Sequence, residues 1–132
     1  MKKVLFVCIH NTARSIMAEA LFNSMAKDWV AESAGVEKAA NVDPVVKQLL
    51  AEKGLKAKEK PRTIDEVDLE KFDLIVTVCE ESSCILLPVS KNVERWHIEN
   101  PAGKDEEVYR RVLAEIEERV KLLVERLESS DD

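Results

Sequence analysis

A short loop at residues 8–15 joins two segments of opposite periodicity, and it constrains the fold more than any other stretch of the chain. The apolar, partly β-branched run at residues 4–7 before it is typical of a buried strand in a parallel sheet. After it, apolar side chains recur at helical spacing: Ile16, Met17, Ala20, Leu21 and Met25. The sequence therefore predicts a strand, a tight loop and a helix over 15–27.

This strand-to-helix junction predicts an anion-binding site. The first N–H groups of a helix have no intrahelical partner, and the helix dipole adds positive charge at the same end. A tetrahedral oxyanion can therefore bind to such a loop. We expect its cradle to be the backbone amides of the loop, which belong to Ile9, His10, Asn11, Thr12, Ala13 and Arg14. Asn11 suits a tight loop because asparagine tolerates unusual backbone angles.

Three side chains of the loop have the chemistry of nucleophilic catalysis. Cys8 lies where loop amides and a cation favour a thiolate. The Arg14 guanidinium matches two oxygens of a phosphate-like group, and the Ser15 hydroxyl can donate to Cys8. The alternative is a buried Cys8 that closes the strand, a surface Arg14 and Ser15 as an ordinary N-cap. The coincidence of all three at one junction favours catalysis.

The rest of the chain alternates between strand and helix patterns, which predicts an α/β fold. A second strand is expected to stop at Gly35, and Asp43-Pro44 to begin the second helix, with Gly54 as its C-cap signal. The further predicted elements are a strand at 29–34, a short helical turn within 63–71, strands at 72–78 and 93–96, and a helix at 105–128.

Two more cysteines follow the third predicted strand. Cys79 comes directly after this strand, so it should emerge on the same sheet edge as Cys8. Cys84 lies in the polar loop that follows. They are either redox partners of Cys8 or incidental buried thiols. No cysteine or histidine pair has the Cys-x2-Cys or His-x3-His spacing of a compact zinc site, so no metal of that kind is expected.

Composition excludes several function classes. The formal net charge of −6 argues against a nucleic-acid or membrane-surface role. No apolar run approaches the ~20 residues that cross a bilayer, and the first residues lead into a strand rather than a signal sequence. We therefore expect one cytoplasmic domain over residues 1–132, and a monomer.

The pattern Cys-x5-Arg-Ser after an N-terminal strand resembles the low-molecular-weight protein tyrosine phosphatase family, which includes phosphatases and thioredoxin-coupled arsenate reductases. Segments 32–35 and 95–104, together with Cys79 and Cys84, are more similar to the reductases. The resemblance implies a single three-layer α/β domain. Its four-stranded parallel sheet would have the order 2-1-3-4, with helices on both faces.

The resemblance also implies a reaction. Arsenate would be reduced to arsenite by the Cys8 nucleophile, and a relay through Cys79 and Cys84 would leave a disulfide for a thioredoxin-like partner. A phosphatase that hydrolyses phosphomonoesters through a Cys8 phosphoenzyme is the main alternative. A module that binds an oxyanion or a partner protein without turnover is the third.

Two departures from the family bear on the site. In the reductases, the residues that match Asn11, Glu19 and Ser33 surround a monovalent cation, but Arg62 stands where another acidic residue is expected. Glu19 is otherwise a solvated helix residue. No other cofactor is expected.

The second departure concerns the general acid. The family has an aspartate directly before a proline at the position of Asn100, and an amide cannot replace a carboxylic acid as a proton donor. Glu99 or Asp105 would then take this role. Asp105 also suits the N-cap of the last helix, so we prefer Glu99.

Overall fold

Four parallel strands form the sheet in the computed structural model, which describes residues 1–80 and 92–129. The strands are β1 (Lys2–Cys8), β2 (Trp29–Gly35), β3 (Leu74–Cys79) and β4 (Val93–His97). Their order is β2-β1-β3-β4, with every neighbouring pair parallel. The predicted α/β class and strand order are therefore confirmed.

Three α-helices accompany the sheet: α1 (Arg14–Met25), α2 (Pro44–Glu52) and α3 (Glu106–Ser129). Two short 3-10 helices, Ile64–Glu66 and Leu69–Lys71, occupy the predicted helical turn. Most boundaries differ from the predictions by one or two residues. Gly35 does not stop β2 but is its last residue, because it pairs with Cys8 across the sheet.

The larger part of the core lies between one sheet face and the helices. Phe6 of β1 packs against Phe22 of α1 and Trp96 of β4, with ring centroids 5.9 and 5.6 Å apart. Residues 4–7 of β1 are fully buried. A central parallel strand is covered on both faces, which explains its continuous apolar run.

The opposite face is covered by the segment with the 3-10 helices. Leu5, Val7 and Ile75 on that face pack with Phe72 and with the partly buried Ile64, Val67 and Leu69. The sheet is thus an internal layer whose carboxyl edge remains available for a site.

Within the described residues no helix is both long and apolar enough to cross a membrane.

Helix α2 begins and ends as the sequence predicts. The Asp43 carboxylate accepts a hydrogen bond from the Val45 N–H at 2.9 Å, and Pro44 occupies the first turn. Gly54 follows the helix with φ +74°, a left-handed conformation that suits glycine. These signals are local, which is why the sequence predicts them well.

Candidate active site

Cys8 is the last residue of β1, and its side chain meets the start of α1. The thiol is almost fully buried at 3% exposure. Its Sγ lies 2.8 Å from Ser15 Oγ and 3.3 Å from the Asn11 nitrogen, whose N–H donates to the sulfur. The hydroxyl contact that the sequence predicts between Ser15 and Cys8 is present.

Asn11 is also hydrogen-bonded to Ser15. Its Nδ2 donates to Ser15 Oγ at 2.8 Å. The Ser15 hydroxyl hydrogen is then available for Cys8, and its donation to the sulfur would stabilise a thiolate. Asn11 has φ +54°, the only left-handed non-glycine residue in the described part of the chain. The expectation of an unusual backbone angle at this position is confirmed.

Arg14 is buried at the first position of α1. It is 4% exposed, and its Nη1 donates to the Ile98 carbonyl at 2.8 Å. The guanidinium has five N–H donors, and this bond uses one. Helix α1 begins after Ala13, with no capping side chain and no acidic residue in its first turn. Arg14 is therefore no surface charge, Ser15 is no N-cap, and the helix start suits an anion.

Gly35 allows the loop to pack tightly on β2. A Cβ atom built on Gly35 would lie 2.7 Å from the His10 carbonyl carbon and 2.8 Å from the Asn11 nitrogen. These are backbone atoms of the loop, so a side chain here would push it away. The pairing continues past the strand, where the Val36 N–H donates to the Cys8 carbonyl at 3.1 Å.

Cys79 ends β3 on the same sheet edge as Cys8. The β1–β3 register pairs Val7 with Thr77, and its extension by one residue places Cys8 beside Val78. From strand spacing and rise, the two cysteine Cα atoms are about 6 Å apart, within the ~7 Å that a disulfide allows. Both side chains are buried. Cys84 lies outside the described residues.

The two cysteines nevertheless face opposite sides of the sheet. Cys8 packs in the same cluster as Val78, whereas strand alternation places Cys79 on the other face. The Cys79 carbonyl also accepts a hydrogen bond from the Ile98 N–H at 2.8 Å. Bond formation between the two sulfurs therefore requires the end of β3 to rearrange.

The residues predicted around a cation come together behind the loop. Asn11 Nδ2 donates to Ser33 Oγ at 3.0 Å, and the Ser33 hydroxyl donates to the Glu19 carboxylate. Burial raises the pKa of Glu19, although Ser33 and nearby cations oppose this. Glu19 is therefore not a solvated helix residue. The Lys58 ammonium also lies in this group, 3.0 Å from Asn11 Oδ1.

The sequence matches one family model over residues 3–131, that of the low molecular weight phosphotyrosine protein phosphatases. The chain belongs to this family. The match covers the anion loop, both described cysteines and all four strands apart from Lys2, so the whole site lies within the family fold.

Relatives within the family are named arsenate reductases. One from Halalkalibacterium halodurans is 37% identical, covering 94% of this chain and 96% of its own. The crystal structure of arsenate reductase from Archaeoglobus fulgidus DSM 4304 is 81% identical with a TM-score of 0.90, covering 92% of this chain and 98% of its own. A Corynebacterium glutamicum thioredoxin-dependent arsenate reductase is 27% identical with a TM-score of 0.79, and the match covers 98% of this chain and 63% of that protein's chain.

These relatives confirm the resemblance to the arsenate reductases of the family. The departures expected at Asn100 and Arg62 stay predictions. Asn100 Oδ1 accepts from the Ala102 N–H at 3.1 Å, and the Glu80 carboxylate accepts from the Asn100 N–H at 2.7 Å. The Asn100 side chain thus shapes its own turn.

Glu99 lies next to Asn100 but is turned towards two cations. Its carboxylate accepts from Lys104 Nζ at 2.7 Å and from Arg111 Nη2 at 2.5 Å. Both hydrogen bonds lower the pKa of Glu99, and the one from Lys104 has the larger effect. The arrangement favours the ionised carboxylate and is unfavourable for a proton donor. The general-acid role of Glu99 stays a prediction, as does that of Asp105, which precedes α3.

Three residues support the site through contacts that the sequence does not predict. Lys58 is one of several lysines in a polar segment, and only the fold shows which of them turns inward. Asp43 and Tyr109 form the second case, in which the Tyr109 hydroxyl donates to the carboxylate that caps α2. The Asp43 N–H also donates to the Thr12 carbonyl at 3.1 Å, which ties α2 and α3 to the anion loop.

Proposed function

We propose that the protein is an arsenate reductase that uses Cys8 as its nucleophile. The observation that carries the proposal is a pair of buried cysteines, Cys8 and Cys79, at the carboxyl ends of neighbouring strands. A phosphatase needs the first thiol, but it has no use for the second. The names of the relatives support the same reaction.

The first step uses the anion loop. Arsenate binds to the backbone amides of residues 9–14 and to the Arg14 guanidinium. The Cys8 thiolate, which the Ser15 hydroxyl and the Asn11 N–H stabilise, attacks arsenic. A sulfur–arsenic bond forms, an arsenic–oxygen bond breaks, and the oxygen leaves as water after it takes up protons.

The second step transfers electrons to arsenic. The Cys79 thiolate attacks Cys8 Sγ, a disulfide forms between them, and the electron pair of the sulfur–arsenic bond stays on arsenic. Arsenic(V) thereby becomes arsenic(III), and arsenite leaves. Because Cys79 faces the other side of the sheet, the end of β3 must rearrange so that the Cys79 side chain reaches the face that carries Cys8.

The third step regenerates the active site. Cys84 attacks Cys79, which frees Cys8 and moves the disulfide to the pair Cys79–Cys84. A thioredoxin-like protein then supplies two electrons and reduces this pair. The thioredoxin-dependent relative from Corynebacterium glutamicum supports a partner of this kind.

A phosphatase is the second candidate, because the family model and the geometry of Cys8, Arg14 and Ser15 also suit phosphoryl transfer. Such an enzyme depends on an acid that protonates a leaving alcohol or phenolate. Asn100 cannot donate this proton, and the ion pairs of Glu99 hold its carboxylate ionised. Arsenate reduction, which releases only water at this step, is the better match. The third alternative, binding without turnover, leaves the orientation of Ser15 towards Cys8 without a purpose.

Arsenate-dependent oxidation of the reduced protein tests the proposal. We expect two thiols to be lost for each arsenite formed, with a Cys79–Cys84 disulfide in the wild type. The Cys84→Ser variant should stop at a Cys8–Cys79 disulfide. The Cys79→Ser variant should form no disulfide with Cys8 and release no arsenite.

Peptide mapping by mass spectrometry identifies these disulfides, and an aryl phosphate serves as the competing substrate. If arsenate leaves all three thiols free while the aryl phosphate is hydrolysed, the phosphatase is correct. If neither substrate reacts and an alkylating agent modifies Cys8 only at the rate of an ordinary thiol, the protein is a binding module.

A further inference from the structure

Lys58 projects into a group of oxygen atoms directly behind the anion loop. Its side chain is only 17% exposed. The ammonium donates to Asn11 Oδ1 at 3.0 Å, to the Ser33 carbonyl at 2.8 Å and to Ser33 Oγ at 3.3 Å. The Glu19 carboxylate lies 4.0 Å away. Three acceptors thus match the three N–H donors of a lysine.

This group does not fit an additional monovalent cation. Amide, carbonyl, hydroxyl and carboxylate oxygens are the ligands that a hard cation takes, and Asn11, Ser33 and Glu19 provide them. The Asn11 and Ser33 oxygens already accept hydrogen bonds from the Lys58 ammonium. A second cation among them would compete for their lone pairs and would repel the ammonium at short distance.

The surroundings of Lys58 act on its pKa in both directions, with a net lowering. Burial lowers the pKa of Lys58, while the Glu19 carboxylate raises it and so opposes the effect of burial. Arg62 does not take the same place, because its guanidinium contacts the Ser33 carbonyl and the Glu32 carboxylate. Only its backbone N–H reaches Asn11 Oδ1, at 3.1 Å.

A continuous chain of hydrogen bonds leads from Lys58 to the thiol. Lys58 and the Arg62 N–H both donate to Asn11 Oδ1, which fixes the orientation of the Asn11 amide. The amide nitrogen then donates to Ser15 Oγ, and the Ser15 hydroxyl is available to donate to a Cys8 thiolate. Successive hydrogen bonds polarise one another. A positive charge at the far end therefore strengthens the last donor.

We propose that the Lys58 ammonium replaces a bound monovalent cation and acts as a positioning residue that orients Asn11 and Ser15 towards the Cys8 thiolate. The inference rests on Cys8 as the nucleophile of the proposed function. Lys58 is thereby assigned to the site, and the reactivity of Cys8 should not depend on potassium.

The test measures alkylation of Cys8 by iodoacetamide, so it does not depend on arsenate turnover. The parent protein carries Cys79→Ser and Cys84→Ser, which leaves Cys8 as its only thiol. Rates are compared across pH in potassium chloride and in tetramethylammonium chloride at equal ionic strength. We expect the parent to react equally fast in both salts, within about twofold.

Lys58→Ala should slow alkylation at neutral pH by about tenfold in tetramethylammonium, since a charge-assisted hydrogen bond is lost. Potassium or ammonium ions should restore the rate with a saturable dependence, because they can enter the space that the side chain leaves. Lys58→Met fills that space and should be slow in every salt. Lys60→Ala, which removes an exposed lysine of the same segment, should behave as the parent.

Two results would overturn the proposal: a parent that itself requires potassium, or a Lys58→Ala variant that reacts as fast as the parent without potassium. If Lys58→Ala does not fold, the thermal unfolding midpoint of the wild type decides. A midpoint that rises with potassium relative to tetramethylammonium indicates a bound cation and refutes the proposal. An unchanged midpoint supports it.

Discussion

Replacement of Gly35 by alanine should displace the anion loop without touching any catalytic side chain. The new Cβ would lie 2.7 Å from the His10 carbonyl carbon, 2.8 Å from the Asn11 nitrogen and 3.0 Å from the Ile9 carbonyl oxygen. All three are backbone atoms, so no side-chain rotation can relieve the contact. The loop itself has to move.

The size of the shift follows from these distances. Ordinary contact begins near 3.4 Å, so the His10 carbonyl carbon must recede by about 0.7 Å. Overpacking of this kind destabilises proteins by about 1–3 kcal/mol. A misplacement near 1 Å at a reaction centre can reduce turnover by about 100-fold. We expect Gly35→Ala to lose about 10- to 100-fold in arsenate turnover while it remains folded.

Gly54→Ala is a matched control. Gly54 has φ +74° and no atom within 4 Å of an added Cβ, so alanine there costs backbone strain of about 1–2 kcal/mol without a clash. Both variants should lose similar stability in urea unfolding. Only Gly35→Ala should also show slower arsenate turnover and altered alkylation of Cys8.

The reasoning fails if Gly35→Ala keeps wild-type turnover and wild-type Cys8 alkylation at a temperature where it is fully folded. It also fails if Gly54→Ala loses as much activity as Gly35→Ala. In that case reduced stability, rather than the position of the loop, would control the rate.

Three further predictions concern single side chains. Ser15→Ala should slow alkylation of Cys8 at neutral pH by about tenfold, because the thiolate loses a hydroxyl donor, whereas Ser15→Thr should retain most of the rate. Burial and then the hydrogen bond to Asp43 raise the pKa of Tyr109 to about 12. This pKa exceeds the ordinary value of ~10. The stability that the neutral hydroxyl contributes is therefore present below pH ~10 and is lost as pH rises towards 12. Urea unfolding should show a loss of about 2–3 kcal/mol over that range in the wild type but not in Tyr109→Phe. Because Tyr109 is the only tyrosine of the chain, its absorbance reports the titration directly, and a midpoint near 10 would contradict the prediction. Glu99→Gln should keep arsenate turnover within about threefold, because its carboxylate is exposed and ion-paired; a 100-fold loss would instead identify Glu99 as the general acid.

The sequence predicts the parts of the site that depend on local chemistry. A strand, a loop with Asn11 and a helix start follow from periodicity, and the contact between Cys8 and Ser15 follows from the loop being short. The grouping of Asn11, Glu19 and Ser33 came from family resemblance rather than from spacing, because these residues meet only when α1 packs on β2.

The features that the sequence did not predict depend on long-range packing. Lys58 lies in the same polar stretch of sequence as its neighbouring lysines, so nothing in the sequence marks it as the one that reaches the loop. The sequence favours Glu99 as the acid because this residue adjoins Asn100. Its orientation, however, is determined by Lys104 and by Arg111 of α3, and neither contact has a signature in the sequence.

The opposite orientation of the two described cysteines has a consequence for the resting protein. The backbones of Cys8 and Cys79 lie close together, yet their side chains lie on opposite faces of the sheet. The Cys79 carbonyl also accepts a hydrogen bond from the Ile98 N–H, which helps to hold the end of β3 in this orientation. If the proposed relay operates, this arrangement should slow oxidation of the reduced protein in the absence of arsenate, because the end of β3 has to rearrange before the two sulfur atoms can meet.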